Sequence, residues 1–364
     1  MIVEISKKQL EKALSTVSPF LDKKNSDSAV SNYLLQAVGD DLIIKATDVT
    51  SGLSVKVSED VIIEREGETT ADGKKFLSIV KGLKNDKTIT LEIQDEDLLV
   101  KQGRSRFKIK TMDSDDFIKF PLKDGKSSIT FNSEILHSAF KRILPAVDPN
   151  NPKYELNGGL IDIQGGQVNF VATDTKRLAV VQEKIEIAGI DELQLILPKH
   201  SLTEITKLFF GDITLFYDEE FIIIKSDDTF FFSKLIGGTY PNYKKILPTE
   251  INYEFKLPKD EVVDAIKLVS NVNSEVKFTI TNKTFKMETL VDGTLNAEAE
   301  TEFEFNSSLS EGDEVKIGLN SRYLQDFISL IDDSSFKLSI NQPERPFLVE
   351  SENFKTVIMP ISIG

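Results

Sequence analysis

Two clusters in this chain have the residue types that catalysis or metal binding uses. Asp174 stands beside Thr173, Lys176 and Arg177, an acid next to a hydroxyl and two cations, the makings of a general base with an electrostatic partner. Asp113, Asp115 and Asp116 form an acidic run of the type that ligates hard divalent cations. Neither cluster comes with what its chemistry further requires. The sequence has no phosphate-cradling glycine loop, no paired-histidine motif and no nucleophile signature. Asp-rich turns commonly do no more than connect strands. Cysteine is absent and the two histidines are His137 and His200, so disulfides and thiolate metal sites are excluded and imidazole chemistry has little to work with. The expectation is a chain with no catalytic residue, no metal and no cofactor of its own.

A different chemistry is available to the cations. The formal net charge is −15, which by itself argues against nucleic acid, because affinity for phosphates comes from clustered Lys and Arg. Net charge does not locate the charges. Lys7, Lys8 and Lys12 crowd one segment, His137, Lys141 and Arg142 a second, and Lys259 and Lys267 a third. A further set is Lys74, Lys75, Lys81 and Lys84, then Lys199, His200 and Lys207, then Arg322. Glu11, Asp264 and Asp326 interrupt the pattern. If these faces converge, an acidic protein presents a basic surface that tracks a phosphate backbone without reading bases.

The elements that carry those cations repeat. Ala13, Ala139 and Ala265 are spaced by 126 residues, and around them the apolar positions recur as Leu10, Leu14, Val17, then Leu136, Phe140, Ile143, then Val262, Ile266, Val269. Offsets of three, four and seven residues describe the buried stripe of a helix. Each helix follows a short alternating run, Ile2 to Ile5, Ile129 to Phe131 and Tyr253 to Leu257, and Ser6 with Gln9 reads as a capping box at the first. A second helix is expected at Lys74 to Leu83, His200 to Phe209 and Arg322 to Ile331, anchored by Leu77, Leu202 and Leu324. Between the helices the sequence alternates with period two, as in Asp41 to Ala46, Thr88 to Ile93, Gln167 to Ala172, Phe221 to Lys225, Phe278 to Thr281, Thr284 to Glu288 and Phe336 to Ile340, which predicts antiparallel strands.

Each third therefore holds two helices and about eight strands, a doubled strand-helix-strands unit of α+β class. Breaks in the apolar pattern near Pro121 to Ser127 and Pro248 to Asn252 set the expected domains at 1–122, 123–249 and 250–364. No apolar run approaches the ~18 residues of a membrane helix, and the N-terminus lacks the apolar stretch of a signal peptide, so a cytoplasmic, unprocessed protein with no membrane partner is expected.

Two alternating charge runs stand out. Arg104, Arg106, Lys108 and Lys110 occupy every second position of an expected strand, with Phe107 and Ile109 on its other face. Glu298, Glu300, Glu302 and Glu304 do the same in the last third. Opposite signs suit edge-to-edge pairing between two chains, head to tail, and two such contacts close a ring. The alternative is that both are solvated faces that never meet.

Four stretches, in order and across the whole length, resemble the bacterial DNA polymerase III beta subunit family of sliding clamps. They are Gly103-Arg104-Ser105-Arg106-Phe107, Val171-Ala172-Thr173-Asp174 running to Arg177-Leu178-Ala179, Tyr240-Pro241-Asn242-Tyr243 running to Leu247-Pro248, and Val357-Ile358-Met359-Pro360. The resemblance implies three repeated DNA-clamp domains with antiparallel sheets outside and helices inside, in a ring-shaped head-to-tail homodimer around duplex DNA. It implies a non-catalytic processivity factor, located in the cytoplasm at the nucleoid, to which any polymerase activity would be lent by the holoenzyme. The implied partners are a second copy of the chain, double-stranded DNA, the replicative polymerase alpha subunit, the clamp loader, translesion polymerases, mismatch-repair proteins and ligase, held through short linear motifs. Two rivals are a scaffold that does not encircle DNA and the archaeal and eukaryotic type of clamp, whose chains have two domains.

By the same resemblance, the partner-peptide pocket comprises Leu156, Thr173, Thr175, Lys176, Arg177, Leu178, Pro241, Lys245, Ile246, Val357, Ile358, Met359, Pro360 and Ile361, an apolar site with a basic rim. The dimer interface sets Arg104, Arg106 and Phe107 against Leu268, Val269, Glu298, Glu300 and Glu302 of the other subunit. DNA-facing positions are Lys7, Lys8, Lys12, Lys24, Lys74, Lys75, Lys141, Arg142, Asn150, Lys153, Lys199, His200, Asn320, Arg322 and Tyr323. The chain departs from the family pattern at Thr175 and Lys176, where many members have Gly and His, at Lys245, where many have Arg, and at Ile361 to Gly364, which replaces Met-Arg-Leu. A shifted motif preference is expected from those changes.

Overall fold

The computed structural model describes residues 1–22, 28–85, 87–185, 187, 189–290 and 297–363. The first third runs β1 (Ile2–Ser6), α1 (Lys7–Val17), β2 (Asn32–Val38), β3 (Asp41–Thr47), β4 (Ser51–Val57), β5 (Val61–Arg65), β6 (Gly67–Asp72), α2 (Gly73–Gly82), β7 (Thr88–Gln94), β8 (Asp97–Gln102) and β9 (Ser105–Lys110). The second runs β10 (Ser127–Asn132), α3 (Ser133–Ile143), β11 (Gly158–Gln164), β12 (Gln167–Thr173), β13 (Arg177–Glu183), β14 (Glu192–Pro198), α4 (Lys199–Leu208), β15 (Asp212–Tyr217), β16 (Phe221–Lys225) and β17 (Thr229–Lys234). The third runs β18 (Tyr253–Pro258), α5 (Lys259–Val269), β19 (Glu275–Ile280), β20 (Thr284–Thr289), β21 (Glu300–Glu304), β22 (Val315–Asn320), α6 (Ser321–Ile328), β23 (Ser335–Ile340), β24 (Phe347–Ser351) and β25 (Phe354–Ile358).

These elements pack as two compact units, one of residues 1–131 and 212–235, the other of 132–211 and 236–364. The first holds a five-stranded sheet in the order β5-β1-β7-β8-β9 and an eight-stranded sheet in the order β10-β15-β16-β17-β4-β3-β2-β6. The second holds an eight-stranded sheet β14-β11-β12-β13-β25-β24-β23-β18 and a four-stranded sheet β21-β20-β19-β22. The middle repeat thus gives β10 and β15 to β17 to one sheet and β11 to β14 to another. Pairing is antiparallel, with Gly52 opposite Phe232 in the first unit and Leu178 opposite Val357 in the second.

The helices come in adjacent pairs, α1 with α2, α3 with α4 and α5 with α6. The stripes of α1, α3 and α5 are buried at all the expected positions, which is why a 3.6-residue period fixes their orientation. In α2 the anchors are Phe76 and Val80, fully buried, while Leu77 is only half-buried. Phe76 precedes Leu202 by the same 126 residues that separate the first helices, so the true register of this helix is one residue away from the one read at Leu77.

The capping box at α1 is half made. Ser6 Oγ accepts the Gln9 N–H at 3.3 Å, but the Gln9 side chain donates to Glu59 at 3.2 Å, and the Ser6 N–H goes to the Asp60 carbonyl. A strand connection supplies the acceptor that a reciprocal box would otherwise provide.

Candidate functional site

Asp174 is a turn former. Between β12 and β13, its Oδ1 accepts the N–H groups of Lys176 at 2.9 Å and Arg177 at 2.8 Å, and its Oδ2 accepts from Arg177 Nε at 3.1 Å. Thr173 Oγ1 donates to the Arg177 carbonyl at 2.6 Å and accepts the Thr175 N–H at 3.1 Å. With both oxygens engaged in holding a turn, the carboxylate is not placed as a base. Thr175 has φ of 73°, a left-handed conformation that a β-branched residue adopts at a cost of about 1 kcal/mol or more. That conformation is the physical reason glycine suits this position.

The turn borders an apolar surface within the second unit. Leu156, Leu178 and Val357 belong to one buried cluster with Tyr240 and Tyr243, and Leu247 packs against it. Ile358 is fully buried and Thr173 nearly so, so these residues form floor. Exposed above them are Thr175, Lys176, Lys245, Ile246 at 42% and Met359 at 41%, with Pro241, Pro360 and Ile361 partly covered. The Met359 N–H donates to the Lys176 carbonyl at 2.9 Å and the Ile361 N–H to the Gly318 carbonyl at 2.8 Å, which pins the terminal segment beside the turn.

A buried acid holds the lip carrying Pro241 and Lys245. Tyr243 Oη donates to Asp162 Oδ2 at 2.6 Å, Gln194 Nε2 donates to Oδ1 at 3.0 Å, and Lys244 Nζ lies 3.7 Å from Oδ2. Asp162 is 2% exposed. Burial, then the bond to Asp162, pushes the Tyr243 hydroxyl pKa far up, keeping it a donor. Sequence reasoning passed over Asp162 and named Tyr243 only within the Tyr240 to Tyr243 motif, and the signal was an acid set among Leu160, Ile161 and Ile163 in an otherwise apolar strand.

Arg177, expected in the pocket, has its guanidinium engaged by neighbours. Arg177 Nη1 contacts Asp326 Oδ2 at 2.5 Å, Nη2 donates to the Pro145 carbonyl, and the guanidinium lies 4.6 Å from the Tyr323 ring centroid. Lys176 and Lys245 are the expected pocket cations that stand exposed.

The cations on the helices divide in the same way. Lys8, Lys12, Lys74, Lys141, Lys153 and Arg322 are exposed, as is Asn150, and Lys75 is exposed with Asp72 at 3.5 Å. Lys7 is buried, bonded to Asn85 at 2.8 Å and Glu11 at 2.5 Å. Arg142 donates to Asn353 Oδ1 at 2.8 Å and to the Leu330 carbonyl at 3.4 Å and stacks over Phe354. Lys199 donates to the Val147 carbonyl at 2.7 Å, and Asn320 Oδ1 accepts the Arg322 N–H at 3.0 Å as the cap of α6. His200 and Tyr323 are half-buried. Lys24 lies outside the described residues. Neighbours distant in sequence thus help bury Lys7 and engage the half-buried Arg142 and Lys199.

Both alternating charge runs lie on outermost strands, β9 of the five-stranded sheet and β21 of the four-stranded sheet. Arg104 stands in the turn before β9, not within it, and Glu298 precedes β21. Arg104, Arg106 and Phe107 are exposed, as are Glu298, Glu300 and Glu302, with Glu300 2.7 Å from Lys286. Leu268 is 61% exposed while Val269 is wholly buried in the core, so only Leu268 has a side chain to offer a partner. Asp113 Oδ1 accepts the Asp115 N–H at 3.0 Å and closes a local turn. Among the described residues no group of three or more His, Asp or Glu could hold a metal, and no helix is long and apolar enough to cross a membrane.

A thrice-used α+β repeat with, among the described residues, six short α-helices and antiparallel sheets ending in charged edges defines the three-domain DNA-clamp class. Family models for the DNA polymerase III beta subunit match in order, the N-terminal domain at residues 1–121, the central domain at 130–242 and the C-terminal domain at 244–362. The beta sliding clamp of Helicobacter pylori strain J99 is 35% identical over 377 residues, covering 100% of both chains, and that of Pseudomonas aeruginosa is 27% identical over 376 residues, covering 99% of both. The crystal structure of the Helicobacter pylori beta clamp bound to a DNA ligase peptide superposes with a TM-score of 0.92 at 35% identity over 100% of both chains. The chain belongs to the DNA polymerase III beta subunit family.

Proposed function

We propose that this chain is the sliding clamp of a bacterial replicative polymerase, a head-to-tail homodimeric ring that encircles duplex DNA and tethers its partners. The observation that carries the reading is the unbroken correspondence of all three family domains with a fold that matches a clamp at TM-score 0.92. The domains are taken at 1–122, 123–249 and 250–364. A closed ring cannot leave DNA sideways, so residence is set by ring opening, while screened phosphate contacts from Lys8, Lys12, Lys74, Lys141 and Arg322 permit sliding. The edges β9 and β21 join between subunits through Arg106 and Phe107 on one side and Leu268 and Glu302 on the other, which leaves neither edge open.

Partners dock by short linear motifs on the floor of Leu156, Leu178 and Val357, against Ile246 and Met359, with Lys176 and Lys245 receiving acidic groups. The ligase peptide bound to the Helicobacter pylori clamp supports this mode of binding. Tethering acts through effective concentration, without chemistry of its own, so the chain is non-catalytic and works in the cytoplasm at the nucleoid. The test is retention on circular plasmid DNA after loading: the protein stays on the circle and runs off once the circle is cut, and equal loss from both forms refutes encirclement.

A further inference from the structure

The turn at Thr173 to Arg177 has a twin 126 residues earlier. Thr47 Oγ1 donates to the Ser51 carbonyl at 2.7 Å and accepts the Val49 N–H at 3.1 Å, and Asp48 Oδ1 accepts from the N–H groups of Thr50 at 3.0 Å and Ser51 at 2.7 Å. The third residue is left-handed in both, Val49 at 76° and Thr175 at 73°. The neighbouring strand arrives in the same way, for the Lys234 N–H donates to the Thr50 carbonyl at 2.7 Å as that of Met359 does to Lys176 at 2.9 Å. The backbone frame of the peptide surface in the second unit is therefore built a second time in the first.

What differs is the sheet face beside the frame. In the second unit Leu160, Val171 and Val180 pack with Tyr240 and Tyr243 into a buried cluster. The positions 126 residues earlier are Leu34, Lys45 and Ser54. There the face is left as a cleft of about 610 Å³, floored by Lys45 and Ser54, walled by Phe117, Phe120 and Phe230, with Leu122 at its lip and 78% exposed. The Lys45 ammonium lies 5.8 Å from the Phe120 ring centroid, and among the described residues no carboxylate is within ion-pair distance of it. Glu68, the acid that acts on it from further off, accepts from Gln36 Nε2 at 2.7 Å. Burial lowers the Lys45 pKa, against a smaller upward pull from Glu68.

We propose that this cleft is a second docking site, for a short peptide that sets an apolar side chain against the three phenylalanines and a carboxylate on Lys45. It rests on the reading of the twin surface as peptide-binding. The volume suits a few side chains and not a folded surface, and an anionic group would pair the Lys45 ammonium on the floor of a cleft whose lining carries both signs, Lys119 and Lys225 with Asp115 and Asp227.

The absence of cysteine makes the test direct, because Leu122→Cys and Asn242→Cys, the latter exposed on the lip of the first surface, each give the full chain a single site for a trifluoromethyl tag read by fluorine NMR. The titrant is an acetylated five-residue peptide with one aspartate between two phenylalanines. The tag at position 122 is expected to shift to saturation, with a midpoint weakened about tenfold by Lys45→Met or Lys45→Gln, while the midpoint read at position 242 is unchanged. No saturable shift at position 122 up to millimolar peptide, or one that both Lys45 variants leave unchanged, overturns the proposal. A silent tag at position 242 alone refutes the reading of the first surface and leaves the cleft to be judged at position 122.

Discussion

Arg177 and Asp326 meet at 2.5 Å across 149 residues of sequence, and the same guanidinium also reaches Asp174 and the Pro145 carbonyl and stacks on Tyr323. The side chain is 9% exposed, so its removal takes the donor from Asp174 Oδ2 and from a backbone carbonyl in a place with little water, while Asp174 Oδ1 keeps its two backbone N–H donors. Arg177→Ala is expected to lower stability by about 2 kcal/mol. Arg177→Lys should recover little of that, because an ammonium cannot serve a fork of acceptors and a ring face together. Thermal melting of the three proteins checks this, and a lysine variant as stable as the parent contradicts it.

The adjacent pair Lys141 and Arg142 separates the two uses of a cation on α3. Lys141 is exposed, whereas Arg142 bonds Asn353 at 2.8 Å. Lys141→Glu is expected to leave the melting temperature unchanged and to reduce the slope of log affinity for duplex DNA against log salt by roughly 1. Arg142→Glu is expected to lower the melting temperature first, so its effect on DNA reports folding. Salt titrations of DNA binding beside melting curves give both readings.

The lip of the peptide surface depends on Tyr243 and Asp162. Tyr243→Phe removes the 2.6 Å donor from a carboxylate that is 2% exposed, leaving Gln194 and Lys244 to satisfy it. The segment with Pro241 and Lys245 then loses its anchor, and affinity for a partner peptide should fall by roughly tenfold. Calorimetry on the variant decides, and unchanged affinity places the anchor elsewhere.

Helix stripes and strands were legible in the sequence because burial imposes a period, and a period survives without knowledge of neighbours. The exception at α2 shows the limit, since Phe76 and Leu77 are both apolar and only packing tells which faces the core. The site was legible as a set of segments, and the fates of its charges were not. Lys7 looks as free as Lys8 until Asn85 is brought beside it, and Arg177 looks like a rim residue until Asp326 and Tyr323 arrive from the last third of the chain. Pairing of charges is set by tertiary contacts, which no local pattern encodes. The repeat interval was the strongest long-range signal, while the twin of the Asp174 turn at Asp48 emerged only from the hydrogen bonds of the fold.

The charged edges make a prediction about assembly. Arg106 is exposed on β9 and Glu302 on β21, each an outermost strand. Arg106→Glu is expected to shift the protein from twice its 40.8 kDa chain mass toward the monomer in light scattering at micromolar concentration. Adding Glu302→Arg to the same chain restores opposite signs at a head-to-tail contact and should recover dimer. Failure of the double variant to recover means the two edges do not meet.

Stability at high pH follows from Tyr33. Its ring is fully buried, edge-on to Phe76 at 6.3 Å, and its hydroxyl donates to the Leu14 carbonyl at 3.3 Å. Burial pushes its pKa up to about 12, while the unfolded chain keeps the ordinary tyrosine value of about 10. Below pH ~10 the hydroxyl is protonated in both states and the full stability is present. Between pH ~10 and ~12 only the unfolded chain releases the proton, so folding stability falls by about 1.4 kcal/mol per pH unit from this residue. Burial raises Tyr240 and Tyr243 as well, which adds loss of the same sign. Tyr33→Phe removes one ionisable group and should make the fall of the urea midpoint above pH ~10 shallower than in the parent. Identical slopes for parent and variant show that Tyr33 ionises in the folded protein as readily as in the unfolded chain.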